Sequence, residues 1–259
     1  MLSADSRVDA DYLQLSVVSK RAGALPNQAS FPRLKQMDIK TLTLQTESLK
    51  KVTEFYRDIL GAPILAETTY SVTFAFGVTT LTFQEREVSD HPPRYHFAFN
   101  IPSNRIEEAE DWMTSKALLQ YFTQYDSHIA EFTNWNARSI FFFDPAGNIV
   151  EFIARRDINV IATELFSSGQ ILSMTEIGIV FPRNDFKARV ANLMESYQLS
   201  YYTKQEPHDE FVALDDEHGL CIIVAEKRVW FGTEDMEAEA FPVRVEIESN
   251  GMNRSSTIG

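Results

Sequence analysis

The chain has 259 residues, 44% of them hydrophobic and 12% aromatic, enough for one large or two modest hydrophobic cores. Its formal charge of −13 argues against a nucleic-acid or anionic-membrane partner, because both are polyanions. No run of about twenty apolar residues predicts a membrane span, and no secretory signal is visible. The single cysteine, Cys221, excludes an intrachain disulfide. These features favour a cytoplasmic protein with a small-molecule ligand.

Residues 1–36 mix charged residues, prolines and glycines with one short apolar run, and they predict a loose N-terminal arm. The first clear strand follows Met37, so the first domain is expected to begin there. Alternation and helical periodicity then predict a strand at 39–45, a helix starting after Thr46 or Ser48 and ending at Gly61, and strands near 63–67, 71–76 and 79–84. The order is βαβββ.

The same order recurs along the chain at a spacing of roughly sixty to eighty residues. A second copy predicts strands at 96–101, 120–125, 139–143 and 149–154, with a helix after the first strand. A third predicts strands at 176–181, 199–203, 211–214 and 220–225, and a fourth begins at 241–247. Residues 157–171 are predicted as a connector with a short helix at 160–166, and the polar tail 249–259 is expected to fray.

Glu151 stands out on the strand that follows the turn sequence Asp144-Pro145-Ala146-Gly147-Asn148. Alternation places it on one face with Ile149 and Ile153. A carboxylate among apolar neighbours is costly unless it is paired, hydrogen-bonded or bound to a metal. Both a salt-bridged structural glutamate and a metal ligand fit this position.

The repeated modules resemble the vicinal oxygen chelate superfamily, which includes glyoxalase I, fosfomycin and bleomycin resistance proteins and extradiol dioxygenases. The resemblance also rests on two motifs, Phe55-Tyr56-Arg57-Asp58-Ile59-Leu60-Gly61 and Asp144-Pro145-Ala146-Gly147-Asn148-Ile149-Val150-Glu151. It implies an α+β fold in which βαβββ modules form U-shaped mixed sheets. The expected domains are a complete two-module domain at 37–156 and a partial domain, one module plus one strand, at 172–248.

In that superfamily, the first and last strands of each module bind a divalent metal on the concave face of the sheet. By resemblance, these positions fall on Thr41 and Thr82 in the first module and on His96 and Glu151 in the second. Imidazole and carboxylate are good ligands, whereas a threonine hydroxyl is poor unless ionised. The implied site is therefore degenerate. Its ligands would be His96 and Glu151, with Thr41 at a possible third position, and it would hold one iron, manganese, zinc or nickel ion.

Polar residues near these positions predict a neutral lining for a small polar or aromatic ligand. The candidate ligand-binding residues are Thr43, Gln45, Thr82, Gln84, Asn100 and Trp135. Trp135 belongs to the stretch 125–137, which has the length of a lid. The alternative is that the polar residues occupy a half-exposed sheet face without a ligand.

In the third module, Glu176 matches the position of His96, and Ile223 lies near that of Glu151. With no complete ligand set there, a structural salt bridge between Glu176 and Arg244 is predicted. The segment 228–232 carries Trp230 and fits either a lid over the pocket or packing against the sheet.

Two functions fit these features. One is a metal-free or weakly metal-binding module for a small molecule, and the other is a metal-dependent lyase or ring-cleaving dioxygenase. The incomplete strand set of the later modules also suggests an edge that needs cover, which a homodimer would provide. Fold does not decide between these activities.

Overall fold

The structure, a computed structural model, describes residues 36–249 and 251–258. The predicted N-terminal arm lies outside the described residues except for Gln36. Among the described residues, no helix is long and apolar enough to span a membrane.

The first module contains one helix and four strands. These are β1 (Met37–Thr46), α1 (Leu49–Thr53), β2 (Ile64–Glu67), β3 (Ser71–Phe76) and β4 (Thr79–Glu85). The hydroxyl of Ser48 caps α1 by accepting the backbone N–H of Lys51 at 3.4 Å. A π-helical turn, Glu54–Ile59, continues α1, and Gly61 follows it with a left-handed φ of 70°. The predicted elements of this module are confirmed.

The later modules repeat this order with irregular connections. The second contains β5 (His96–Ile101), α2 (Ile106–Thr114), β6 (Ala130–Phe132), β7 (Ala137–Phe143) and β8 (Ile149–Arg155). The third contains β9 (Ser173–Phe181), α3 (Phe186–Tyr197), β10 (Phe211–Asp216) and β11 (Gly219–Ala225). β12 (Val243–Ser249) and β13 (Met252–Ile258) complete the described chain. The predicted class of repeated modules in mixed sheets is confirmed.

The strands form two sheets that combine distant parts of the chain. A six-stranded sheet has the order β13-β12-β1-β4-β3-β2, and a seven-stranded sheet has the order β10-β11-β9-β5-β8-β7-β6. Leu42 pairs with Val245 between β1 and β12, and Ala98 pairs with Glu176 between β5 and β9. The first and second modules therefore lie in different sheets. β12 and β9 instead cover the edges that β1 and β5 would expose.

Two predicted strands and one predicted helix are absent from the described chain. Residues 120–125 fold back on themselves, since the N–H of Phe122 donates to Ser127 O at 2.8 Å. Residues 199–203 make only the isolated bridge between Tyr201 and Leu214. In 160–166, the Val160 carbonyl accepts the N–H of Ser103, so this backbone is satisfied by another segment rather than within a helix.

The tail forms a strand, so the prediction that it frays is wrong. β13 pairs antiparallel with β12, and Ser249 lies opposite Met252. The two residues between these positions are Asn250-Gly251, a sequence typical of tight hairpins, and Gly251 has a φ of 72°. This turn sequence is the local signal for the hairpin.

The hydrophobic residues form two clusters on opposite faces of the seven-stranded sheet. One cluster combines both sheets with the helices and includes Leu42, Phe83, Phe97 and Phe152. The other lies on the face of the seven-stranded sheet that bears Ala98 and Ile153, under segments that include Trp135, Tyr202 and Trp230. This second cluster surrounds the candidate site.

The two motifs that carry the family resemblance contact each other. The hydroxyl of Tyr56, in the π-helical turn, donates to Asp144 Oδ2 at 2.8 Å. Asp144 also accepts from the backbone N–H groups of Ala146 and Asn148 and from the Asn148 side chain, at 2.8–3.0 Å. Burial raises the pKa of Asp144 despite these donors. This buried hydrogen bond joins the first module to the β7–β8 turn.

Replacing Tyr56 with phenylalanine is expected to destabilise the protein by about 1.5–3 kcal/mol, because the buried carboxylate of Asp144 loses a donor. Urea unfolding measures the change. Tyr70→Phe is the control, since Tyr70 is 70% exposed, and its effect should be near zero. Equal stability of wild type and Tyr56→Phe would contradict a stabilising role for this hydrogen bond.

Candidate metal centre

Three ionisable side chains from three adjacent strands meet on one face of the seven-stranded sheet. Ala98 on β5 lies in register between Glu151 on β8 and Glu176 on β9. His96 precedes Ala98 by two residues, so it projects from the same face. The Nε2 atom of His96 lies 3.6 Å from Glu151 Oε2 and 3.8 Å from Glu176 Oε2. All three residues are buried.

The electrostatics of this cluster fit a divalent cation. The ligand atoms of His96, Glu151 and Glu176 all lie within 4.8 Å of one another. Burial and the nearby charge of Glu176 raise the pKa of Glu151 well above its usual range. Two carboxylates in an apolar pocket disfavour each other's ionised form, and a bound cation would remove this conflict. One imidazole and two carboxylates are a suitable donor set for such an ion.

Arg155 lies behind Glu176 and is fully buried. Its Nη2 contacts Glu176 Oε1, and the exposed fraction of its side chain is 0%. Its guanidinium carbon lies 5.6 Å from the centre of the Trp135 ring. Among the described residues, its Nε and Nη1 atoms have no hydrogen-bond partner. The ion pair holds one oxygen of Glu176 and leaves the other, Oε2, on the side of His96.

An aromatic pocket opens over the cluster. Its cavity volume is about 30 Å³. The Trp230 ring lies 5.4 Å from the His96 ring, and the Phe141 ring stacks against His96 at 6.3 Å. Besides the cluster, the lining residues are Phe132, Trp135, Phe141, Ile153, Phe211, Ile222, Val224, Arg228, Trp230 and Phe231.

Trp230 fits over His96 because β9 carries a glycine beneath it. A Cβ atom at Gly178 would lie 2.7 Å from Trp230 Cη2 and 3.1 Å from the His96 carbonyl oxygen. Trp230 itself is buried, and its backbone N–H donates to Met236 O at 2.9 Å. Trp230 thus packs against the sheet at Gly178 and also lines the pocket, so its contacts agree with both interpretations of this segment.

Most of the predicted ligand-binding residues lie away from this cluster. Thr41, Thr43 and Gln45 pair with Thr80, Thr82 and Gln84 between β1 and β4 of the six-stranded sheet. The Thr41 hydroxyl accepts from Thr80 at 3.4 Å. Thr41 therefore lies in a different sheet from His96 and Glu151, because its strand pairs with β12 and β4 and not with β5.

The other two predicted ligand-binding residues belong to the seven-stranded sheet region. Trp135 lines the pocket, and its Nε1 donates to Gln205 Oε1 at 3.2 Å. Asn100 is buried on β5, four residues beyond His96, and is not among the lining residues. Trp135 and the pair His96 and Glu151 are thus brought together, whereas Asn100 lies deeper along the strand.

The sequence predicts that Glu176 occupies in the third module the position that His96 occupies in the second, and the strand registers agree. The role predicted for Glu176 was a structural salt bridge. Its predicted partner, Arg244, is exposed on β12 of the other sheet, so the prediction of a salt bridge between Glu176 and Arg244 is wrong. Glu176 instead contacts Arg155 and lies near His96. The equivalent positions of Glu176 and His96 in their modules were the sequence signal that could have identified Glu176 as a candidate ligand. By register, Ile222 and not Ile223 occupies the position of Glu151 in the third module, since Leu220 pairs with Glu176 as Ile149 pairs with His96.

Comparisons with known proteins agree with this architecture. The family model of the Glyoxalase/Bleomycin resistance protein/Dioxygenase superfamily matches residues 38–152. The chain is 32% identical over 111 residues to the metallothiol transferase FosB of Staphylococcus haemolyticus, an alignment covering 36% of this chain and 80% of FosB. FosB of Staphylococcus epidermidis matches with the same identity and coverage.

Solved structures extend the similarity of fold over most of the chain. A putative dioxygenase from Bacillus subtilis aligns with a TM-score of 0.53 and 14% identity, covering 85% of this chain and 84% of that one. Glyoxalase I from Zea mays aligns with a TM-score of 0.50 and 14% identity, covering 83% of this chain and 75% of that one. With the sequence matches, these findings show that the chain belongs to the glyoxalase/bleomycin resistance protein/dioxygenase superfamily.

Proposed function

We propose that the chain is a metal-dependent enzyme that binds one divalent ion through His96, Glu151 and Glu176. Its substrate would be a small, oxygen-bearing molecule. The observation that carries the proposal is the set of three buried ligand atoms within 4.8 Å of one another beside the aromatic pocket. The site implied by the sequence was degenerate because its third position was Thr41. Glu176 would supply a carboxylate as the third ligand instead.

The donor set narrows the class of metal. Two carboxylates and one imidazole carry no soft sulfur ligand, which favours manganese, iron, zinc or nickel over copper(I). The two carboxylate charges would balance those of a divalent ion, which makes its burial less costly. The name of the relative FosB, metallothiol transferase, also supports metal-dependent chemistry in this superfamily.

When bound, the ion would supply Lewis-acid polarisation of a substrate oxygen. The chain's own residues hold the site in place around that step. Phe141 and Trp230 restrict the His96 ring from two sides, and Arg155 restrains Glu176. The aromatic walls exclude water, which strengthens electrostatic interactions inside the pocket. A lyase, a ring-cleaving dioxygenase and a thiol transferase would each use this arrangement.

Calorimetric titration of the full chain with Mn²⁺, Fe²⁺, Zn²⁺ and Ni²⁺ tests the proposal. We expect one ion per chain for at least one of these metals, and binding lost in His96→Ala. Thr41→Ala should bind like wild type, because Thr41 lies in the other sheet. Failure of all four metals to bind wild type would refute the metal-dependent function, and EDTA-insensitive ligand binding would then favour the metal-free module.

A further inference from the structure

Ser139 is a buried polar residue beside the metal centre that the proposed ligand set does not use. It lies on β7, opposite Ala130 of β6 on one side and Ile153 of β8 on the other. Its exposed fraction is 0%, and its Oγ atom makes no hydrogen bond to any of the residues that the structure describes. Burying a hydroxyl without a partner is unfavourable, so a serine at this position costs stability unless the hydroxyl has a use.

The strand register places this hydroxyl near Glu151. Phe141 pairs with Glu151 and Ser139 pairs with Ile153, so Ser139 and Glu151 are diagonal neighbours on one face of the sheet. The Cβ atoms of diagonal neighbours lie about 7–8 Å apart or less, a distance that a long side chain such as glutamate can bridge. Burial and the charge of Glu176 raise the pKa of Glu151, and the Ser139 hydroxyl opposes this rise as a nearby donor.

The side chains that surround Ser139 within the sheet leave Glu151 as the acceptor for its hydroxyl. Two polar residues, Glu151 and Arg155, lie diagonal to it on β8. A guanidinium carries only donors, so Arg155 cannot accept the hydroxyl proton, whereas a carboxylate can. The other neighbours on this face are apolar: Ala130, Ala137, Phe141 and Ile153.

A donor on Glu151 would complete a pattern that Glu176 already shows. Arg155 contacts Oε1 of Glu176, which leaves Oε2 on the side of His96. In Glu151, Oε2 is likewise the oxygen nearest to His96, at 3.6 Å from Nε2. A hydrogen bond from an outer residue fixes the plane of a ligating carboxylate, and such outer partners typically contribute 10- to 100-fold to metal affinity.

We propose that Ser139 is a positioning residue of the metal centre, whose hydroxyl donates to Glu151 and holds the carboxylate in the orientation that binds the ion. This inference rests on the proposed function, because it takes Glu151 as a ligand. It adds an outer partner from β7, a strand that contributes none of the three ligands. Since the hydroxyl is unpaired in the metal-free chain, the same side chain should strengthen metal binding and yet contribute nothing to the stability of the metal-free protein.

The test measures metal affinity and metal-free stability on the same variants of the full chain. Calorimetric titration uses Mn²⁺, or whichever of Fe²⁺, Zn²⁺ and Ni²⁺ wild type binds, and urea unfolding is followed in EDTA. Ser139→Ala should raise the Kd of the ion about 10-fold or more. Its unfolding midpoint should equal or exceed that of wild type, because the change removes an unpaired buried hydroxyl.

Tyr197→Phe is the matched control. Tyr197 is also buried, and its hydroxyl also has no hydrogen-bond partner among the residues that the structure describes. It lies on α3 and does not line the metal pocket. Its removal should leave the Kd of the ion within about twofold of wild type, because no ligand depends on this hydroxyl.

Three results would overturn the inference while the proposed function stands. They are a Kd in Ser139→Ala within about twofold of wild type, a weaker Kd accompanied by a lower unfolding midpoint, which would assign Ser139 to packing, and an equal loss of affinity in Tyr197→Phe. Failure of wild type to bind any of the four ions would instead refute the proposed function, and the inference would fall with it.

Discussion

Glu176→Gln is expected to weaken the binding of a divalent ion by at least about a hundredfold, since even outer partners of metal ligands are typically worth 10- to 100-fold. The amide keeps the size of the side chain but removes its charge and one of its two oxygen donors. The residue lies outside the segment 38–152 that matches the family model, so this variant tests a ligand that the third module contributes. Calorimetric titration with Mn²⁺ measures the loss.

Glu206→Gln is the matched control, because Glu206 is exposed and lies outside the pocket. It should bind Mn²⁺ like wild type. The titration is interpreted only for protein that gives a wild-type near-ultraviolet circular dichroism spectrum, since Glu176→Gln also leaves Arg155 without its charged partner. Wild-type affinity in folded Glu176→Gln would exclude Glu176 from the metal site.

Arg155→Met is expected to lower the free energy of unfolding of the metal-free protein by about 3–5 kcal/mol, because Glu176 would keep a buried charge without its partner. For a chain of this size, each kcal/mol corresponds to a fall in Tm of about 2–4 °C. Guanidinium chloride unfolding measures the change. The double variant Arg155→Met/Glu176→Gln should recover part of the loss, since it removes both charges.

The neighbouring arginine provides the control for this effect. The side chain of Arg156 is 45% exposed, and its partner Glu131 is 41% exposed. Exposed ion pairs contribute little, so Arg156→Met should change stability by less than about 1 kcal/mol. Equal effects of Arg155→Met and Arg156→Met would contradict the structural importance of the buried pair.

Local sequence signals were sufficient to predict the elements whose structure depends on residues close to them in the chain. Glycine in a left-handed conformation ends the first helical segment, and Asp144 organises its turn through donors within four residues. Alternation also placed His96 and Glu151 on strand faces, because the period of a strand does not depend on its partners. The β12–β13 hairpin had an equally local signal in the sequence Asn250-Gly251, which the polar composition of the tail obscured.

Strand pairing required the tertiary structure, because backbone hydrogen bonds between strands carry little information about which distant segment provides the partner. The order of modules along the chain suggested that the first and second share a concave face, which placed Thr41 beside His96. In the folded chain, β9 pairs with β5, which brings Glu176 beside His96 and Glu151, whereas β1 pairs with β12 and β4, which places Thr41 in the other sheet. Two candidate ligands, His96 and Glu151, were readable from periodicity and resemblance, whereas the position of Glu176 beside them depended on long-range pairing of edges.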